Sequence, residues 1–181
     1  MIRITGGEAR GRKLKSSKGL KVRPTLGRIR ETLFDVLRER VKGTCFLDLF
    51  AGTGVVAIEA LSRGASRTIL VEKKGEMVSL IRENLVLAGY QERALVIQGD
   101  VMHSLNRVLP FAPHSIIFAD PPYIFGACKD LISIYLPLIG EGGVLVVQHL
   151  KKFSIVTSPG FLVKRREIGE HCLTFMEGRA K

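Results

Sequence analysis

Residues 45 to 54 read Cys45-Phe46-Leu47-Asp48-Leu49-Phe50-Ala51-Gly52-Thr53-Gly54. The first half, Cys45 to Phe50, is a short apolar run with one carboxylate, Asp48. Such a run predicts a strand buried on both faces of a parallel sheet. The second half, Ala51 to Gly54, predicts a tight turn. After it, Val56, Ala57, Glu59, Ala60, Leu61 and Arg63 suit a helix, which Gly64 ends. Strand, glycine turn and helix open a nucleotide-binding βαβ unit, where glycine lets backbone come close to a ligand. The dinucleotide fingerprint is incomplete, because Ala57 stands at its third glycine position. A carboxylate inside the strand, as Asp48 is, suits a cationic ligand rather than a pyrophosphate.

Downstream the pattern repeats. Apolar strands are expected at 68–71, 95–98, 115–119 and 144–148. Helices are expected at 76–88, capped by Gly89, at 101–109, stopped by Pro110, and at 129–136. Residues 165–168 and 173–176 fit an antiparallel pair closing the sheet. Strands alternating with helices predict a doubly wound, mostly parallel α/β sheet. In such sheets ligands bind beyond the carboxyl ends of the strands, at the point where strand order reverses. Four successive strands carry a carboxylate there: Asp48, Glu72, Asp100 and Asp120. Glu72 lies 18 residues after Gly54, near the distance at which an acid meets a ribose hydroxyl. Asp100 is placed to accept from an adenine amine.

Charge divides the chain. The 181 residues hold 28 Lys+Arg against 17 Asp+Glu, a net charge of +11. Residues 1–42 hold 13 of the basic and 4 of the acidic side chains, and 43–181 are nearly balanced. A basic arm on a near-neutral body predicts contact with a polyanion. Within the arm, Ile2, Ile4 and Leu14 with Gly6, Gly7 and Gly11 predict a small hairpin. Thr25 is expected to cap a helix from Leu26 to about Arg40, with Ile29, Leu33, Phe34, Val36 and Leu37 as its apolar face. Most charges of that helix are expected on a solvated face. Arg10, Arg12, Lys13, Lys15, Arg23 and Arg28 are the side chains expected to meet that polyanion.

Other classes fare worse. No apolar run reaches about 18 residues, so no transmembrane helix is expected. Cys45, Cys128 and Cys172 lie far apart and share no ligand spacing with the four histidines, so neither a metal site nor a disulfide framework is expected. A cytoplasmic protein follows from this reading. Ser62 and Ser66 lack a nucleophile elbow, and His149 and His171 are each expected to be structural.

These motifs resemble a known family. Asp48 to Gly54 resembles the S-adenosylmethionine-binding motif of class I methyltransferases, and Asp120-Pro121-Pro122-Tyr123 looks like the motif of those that methylate planar exocyclic amines and amides. Together with Gly6-Gly7, Gly11-Arg12-Lys13-Leu14, Arg23-Pro24-Thr25, Arg28-Ile29-Arg30-Glu31 and Glu59 to Ala65, the chain is similar to the RsmD family. Those proteins are bacterial 16S ribosomal RNA guanine-N2 methyltransferases. Leu26-Gly27 departs from a polar pair common in the family, and Gln148 from a common glutamate before His149.

The resemblance implies a Rossmann-like, mostly parallel seven-stranded sheet (residues 43–181) with a basic RNA-binding extension (1–42). It implies S-adenosylmethionine as cofactor and no metal. The partner would be 16S ribosomal RNA in the small subunit, and the protein a monomer. Cofactor contacts are expected from Asp48, Phe50, Ala51, Gly52, Gly54, Glu72, Lys73, Asp100, Val101 and Asp120. Catalysis is expected from Asp120, Pro121, Pro122 and Tyr123. The Asp120 carboxylate and Pro121 carbonyl would accept from the amine, the two prolines would stiffen the turn, and Tyr123 would stack on the base. A DNA adenine-N6 or protein glutamine methyltransferase using the same site stays open. So does a non-catalytic RNA-binding protein with a vestigial cofactor fold.

Overall fold

The structure, a computed structural model, describes residues 1–16, 27–122, 125–155 and 161–178. Arg23, Pro24, Thr25, Leu26 and Tyr123 lie outside the described residues.

The chain opens with a short antiparallel pair, β1 (Ile2–Arg3) and β2 (Lys13–Leu14), and helix α1 (Gly27–Leu37). The alternating unit follows: β3 (Cys45–Leu49), α2 (Val55–Ser62), β4 (Arg67–Glu72), α3 (Gly75–Ala88) and β5 (Ala94–Gln98). Then come the short α4 (Leu105–Val108), β6 (His114–Ala119), α5 (Phe125–Tyr135) and β7 (Ile139–Leu150). A final hairpin, β8 (Phe161–Ile168) and β9 (His171–Gly178), ends the described chain.

Seven strands form one sheet in the order β5-β4-β3-β6-β7-β9-β8. The first five are parallel; β9 runs antiparallel between β7 and β8. From β3 the chain winds outward to β5, then crosses back to β6 on the other side. The switch point therefore lies between β3 and β6.

Each face of the sheet carries its own apolar layer. On one face, Phe46, Leu70, Phe118 and Val146 pack under α1, α2, α3 and the β1–β2 hairpin. On the other, Leu47, Ile69, Ile117 and Leu145 pack against Leu131, Ile132 and Tyr135 of α5. Burial on both faces is why these strands read as continuous apolar runs.

Ile2, Ile4, Leu14, Ile29, Leu33, Phe34 and Leu37 of the N-terminal extension are buried in the first of these layers. Burying each large side chain contributes about 1.5–3 kcal/mol. Gly7 (φ +81°) lies so close to α2 that a Cβ there would fall 1.9 Å from the Ser62 carbonyl oxygen.

Two expectations are corrected, and a third gains an exception. The first helix stops at Leu37, because Arg38 takes φ +45° and the chain tightens into a 3-10 turn, Arg38–Val41. Most charges of this segment are exposed, as expected; Arg30 is the exception, 3% exposed and paired with Glu59. The last parallel strand extends well beyond 144–148. A register shift between His114 and Ile116, with Gly142 at φ +68°, lets β7 start at Ile139.

Candidate active site at the carboxyl edge of the sheet

Alternation along the strands sets the site. Asp48, Glu72 and Asp120 each follow by two residues a side chain of the same apolar layer: Phe46, Leu70 and Phe118. In the pleat, residues two apart share a face, so the three carboxylates rise from one face at the ends of β3, β4 and β6. They straddle the switch point.

The turn between β3 and α2 is held from several sides. Phe50 adopts φ +65°, Gly52 +55° and Gly54 +74°. Left-handed backbone at the non-glycine Phe50 is strain of the kind concentrated at functional sites. Ala51 N–H donates to the Val71 carbonyl (3.0 Å) and Gly54 N–H to the Ala51 carbonyl (2.8 Å). Gly52 N–H donates to Glu72 Oε2 (2.8 Å), while Glu72 Oε1 accepts from Lys74 N–H (2.9 Å). Glu72 thus shapes the turn before meeting any ligand. A Cβ on Gly54 would press on Ile81 and Leu70 at 3.2–3.3 Å, so this turn seats directly on α3 and β4.

Asp48 differs from Glu72. It is 1% exposed, and its Oδ2 has no hydrogen-bond partner among the described residues. Burial pushes its carboxyl well above the ordinary range; the Ala57 backbone N–H opposes this, and Asp120 and Glu72 add to it. A buried acceptor without a donor is costly, and a cationic group at the switch point would relieve it.

Asp120 follows β6 and is half-buried. Burial pushes its carboxyl up to about 7. Pro121 beside it is buried and Pro122 exposed. Neither proline has an N–H to compete for the carboxylate.

At the β5 edge, Asp100 caps the turn at 101–103, accepting from Met102 N–H (2.9 Å), and pairs with the exposed Lys73 Nζ (2.9 Å). Lys73 holds its carboxyl below the usual range. Val101 is buried, and its carbonyl accepts from Tyr135 Oη–H (2.7 Å). An adenine amine reaching Asp100 would therefore compete with Lys73.

Of the expected RNA contacts, Arg10, Lys13 and Arg28 are exposed. Arg12 and Lys15 are exposed as well, and each also makes a contact within the protein: Arg12 donates to the Ala88 carbonyl at the end of α3 (2.5 Å), and Lys15 pairs with Glu83 (2.9 Å). His149 is structural: Nδ1–H donates to the Leu150 carbonyl (2.9 Å) and Nε2 accepts from Thr174 Oγ1 (2.8 Å). Burial holds its pKa down. Among the described residues, no group of three or more His, Cys, Asp or Glu could hold a metal ion, and no helix is long and apolar enough to cross a membrane.

Sequence reading missed two positioning residues. Asn84 on α3 is fully buried; it accepts from Lys15 N–H (2.8 Å) and donates to the carbonyls of Lys15 (3.2 Å) and Thr53 (3.0 Å). It ties the extension to the glycine turn. Glu59 on α2 is 0% exposed and joins Arg30, Arg63 and Thr5. Both had a signal: a polar residue within the apolar stripe of its helix.

Comparison with known proteins identifies the family and the fold. The family model described as conserved hypothetical protein 95 matches residues 2–177. Ribosomal RNA small subunit methyltransferase D of Buchnera aphidicola (subsp. Acyrthosiphon pisum) is 31% identical, covering 92% of this chain and 87% of that one. The protein of that name from Escherichia coli K12 is 38% identical, covering 74% and 66%. A solved structure of the Thermus hypothetical protein TTHA0928 superposes with TM-score 0.84 at 36% identity, covering 98% of this chain and 99% of that one. An O-methyltransferase from Bacillus cereus, solved with S-adenosylhomocysteine, has TM-score 0.75 at 14% identity over 88% and 85%, a likeness of fold. By the match over nearly its whole length, the chain belongs to the RsmD family.

Proposed function

We propose that this protein is an S-adenosylmethionine-dependent methyltransferase that modifies the exocyclic N2 amine of a guanine in 16S ribosomal RNA. The observation that carries this reading is the placing, across the switch point, of Asp48, whose Oδ2 is unpartnered among the described residues, and Asp120, whose carboxyl burial pushes up to about 7. Family membership and the names of the relatives support the rRNA substrate.

The residues fit the cofactor. Asp48 would meet its cationic end, the Phe50–Gly54 turn would pass close to it, and Glu72 keeps lone pairs for a ribose hydroxyl. Asp100 and Val101 flank the adenine side. S-adenosylmethionine, when bound, supplies a methyl already activated on a sulfonium.

The protein must make a weak nucleophile attack. A guanine amine is poor because its lone pair is delocalised into the ring. The Asp120 carboxylate and Pro121 carbonyl accept its N–H groups, raise electron density on nitrogen and fix its direction. With a carboxyl pushed up to about 7, Asp120 can take the proton released when the amine is alkylated. Tyr123 offers a ring on which the extruded base stacks. The basic extension supplies affinity for RNA through Arg10, Lys13, Arg23 and Arg28, with Arg12 and Lys15 shared between docking and RNA.

The test is methylation of small ribosomal subunits from a strain lacking the gene, with nucleosides analysed by mass spectrometry. N2-methylguanosine is expected. Methyladenosine, or no methylation of subunits and no binding of S-adenosylhomocysteine in calorimetry, would remove the reading.

A further inference from the structure

One polar side chain near the acceptor site is unused by this mechanism. Gln148, near the end of β7, is 3% exposed, and its Oε1 has no hydrogen-bond partner among the described residues. Leaving an amide oxygen buried and unpaired costs about 1–3 kcal/mol, so its orientation calls for a ligand.

Its place in the sheet is fixed by register. Ala119 of β6 pairs with Val147 of β7, so the next residues, Asp120 and Gln148, lie side by side on adjacent strands. On its other flank Gln148 pairs with Leu173 of β9, a buried apolar residue without a side-chain donor. Val146, two residues earlier, belongs to the layer that contains Phe118. Gln148 therefore rises from the same face as Asp120.

We propose that Gln148 is a specificity-determining residue, whose side-chain oxygen accepts from the guanine N1–H while Asp120 and the Pro121 carbonyl hold the neighbouring N2 amine. This rests on the guanine-N2 reading above. Adjacent strands lie about 4.8 Å apart, which sets two acceptors side by side at a scale suited to two adjacent donors. On its Watson–Crick edge guanine presents N1–H next to the N2 amine. Adenine and cytosine present their amine next to a ring nitrogen that accepts, which would leave Gln148 Oε1 facing a lone pair. A site with its polar groups built for one edge rejects the analogue that leaves them unpaired.

The experiment uses the full chain. The methylated position is first located with wild-type enzyme on small subunits from the deletion strain. Subunits are then reconstituted with rRNA carrying 2,6-diaminopurine at that position, a base that keeps the N2 amine but replaces N1–H by an acceptor. Wild type should methylate it at least about tenfold more slowly than guanine. Gln148→Leu should slow guanine by about tenfold and bring the two rates together. Gln148→Glu, which keeps an acceptor, should preserve the preference. Calorimetry with S-adenosylhomocysteine should show unchanged affinity in both variants; if Leu disturbs it, Gln148→Met serves in its place.

Equal wild-type rates on the two bases, or undiminished preference without the amide, would overturn the assignment of Gln148 and leave guanine-N2 methylation standing. Absence of N2-methylguanosine with wild type would overturn both.

Discussion

Two buried charged sites in this molecule are built in opposite ways. Under the N-terminal extension, the Glu59 carboxylate is enclosed by partners: Arg30 Nε at 3.1 Å, Arg63 Nη2 at 2.8 Å, and the hydroxyl and N–H of Thr5. Arg30 also donates to the Arg3 carbonyl at 2.8 Å. Across the same face of the sheet, Asp48 keeps one oxygen unpartnered and Asp120 has its carboxyl raised to about 7. The first site is satisfied by the chain itself, so it fixes the position of the hairpin and α1 on the sheet. The second is left wanting, and its free acceptor capacity is what a cationic cofactor and an amine substrate would use. Partnering, more than burial, separates architecture from chemistry here.

The largest effect that tests the contrast is expected at the satisfied site. Glu59→Ala leaves the Arg30 guanidinium buried without its carboxylate, and unfolding in urea should show a loss of about 3–5 kcal/mol. A loss below about 1 kcal/mol would mean that the network does not anchor the extension.

At the other site the damage should fall on rate. Asp120→Ala should slow single-turnover methylation by about 2–4 kcal/mol of barrier, by analogy with a lost oxyanion donor, while binding of S-adenosylhomocysteine stays largely intact. A near-normal rate would strip Asp120 of its role. The same group sets a pH dependence. As an acceptor it must be ionised, so the rate should rise with pH about a midpoint near 7 and be lost on the acid side. A profile flat from pH 6 to 8 would contradict this.

Asp48→Asn sharpens the comparison by separating stability from binding. Burial raises the folded-state pKa of Asp48, so the folded protein holds that proton more firmly than the unfolded chain. Stability is then lost as pH rises from the ordinary carboxylate range toward the folded value. Removing the charge should raise Tm at neutral pH and abolish affinity for S-adenosylmethionine. A lower Tm would show that the charge is compensated within the chain.

The smallest effect concerns the exposed arm charges. Neutralising Arg10, Lys13 and Arg28 should flatten the log–log salt dependence of RNA binding by about two units, near 0.7 per contact on single strands, without altering cofactor affinity. An unchanged slope would confine the extension to a packing role.

The sequence by itself determined the alternation of strands and helices, because burial on both faces leaves unbroken apolar runs and glycine marks the turns. It also determined that Asp48, Glu72, Asp100 and Asp120 close four strands, since a residue's place at a strand end is local. The cap at Gly89, with φ +76°, was legible for the same reason. Which of those carboxylates the chain itself already partners was not legible. Glu72 already accepts from the Gly52 and Lys74 N–H groups and Asp100 from Lys73, whereas Asp48 retains a free oxygen. That difference depends on which donors other segments bring within 3 Å. Only the tertiary structure decided that Arg12 docks on α3, that Arg30 is buried, that Asn84 joins the extension to the glycine turn, and that Gln148 stands beside Asp120. Each is a contact between residues far apart in the chain, set by strand register and helix packing, and local pattern carries no record of register.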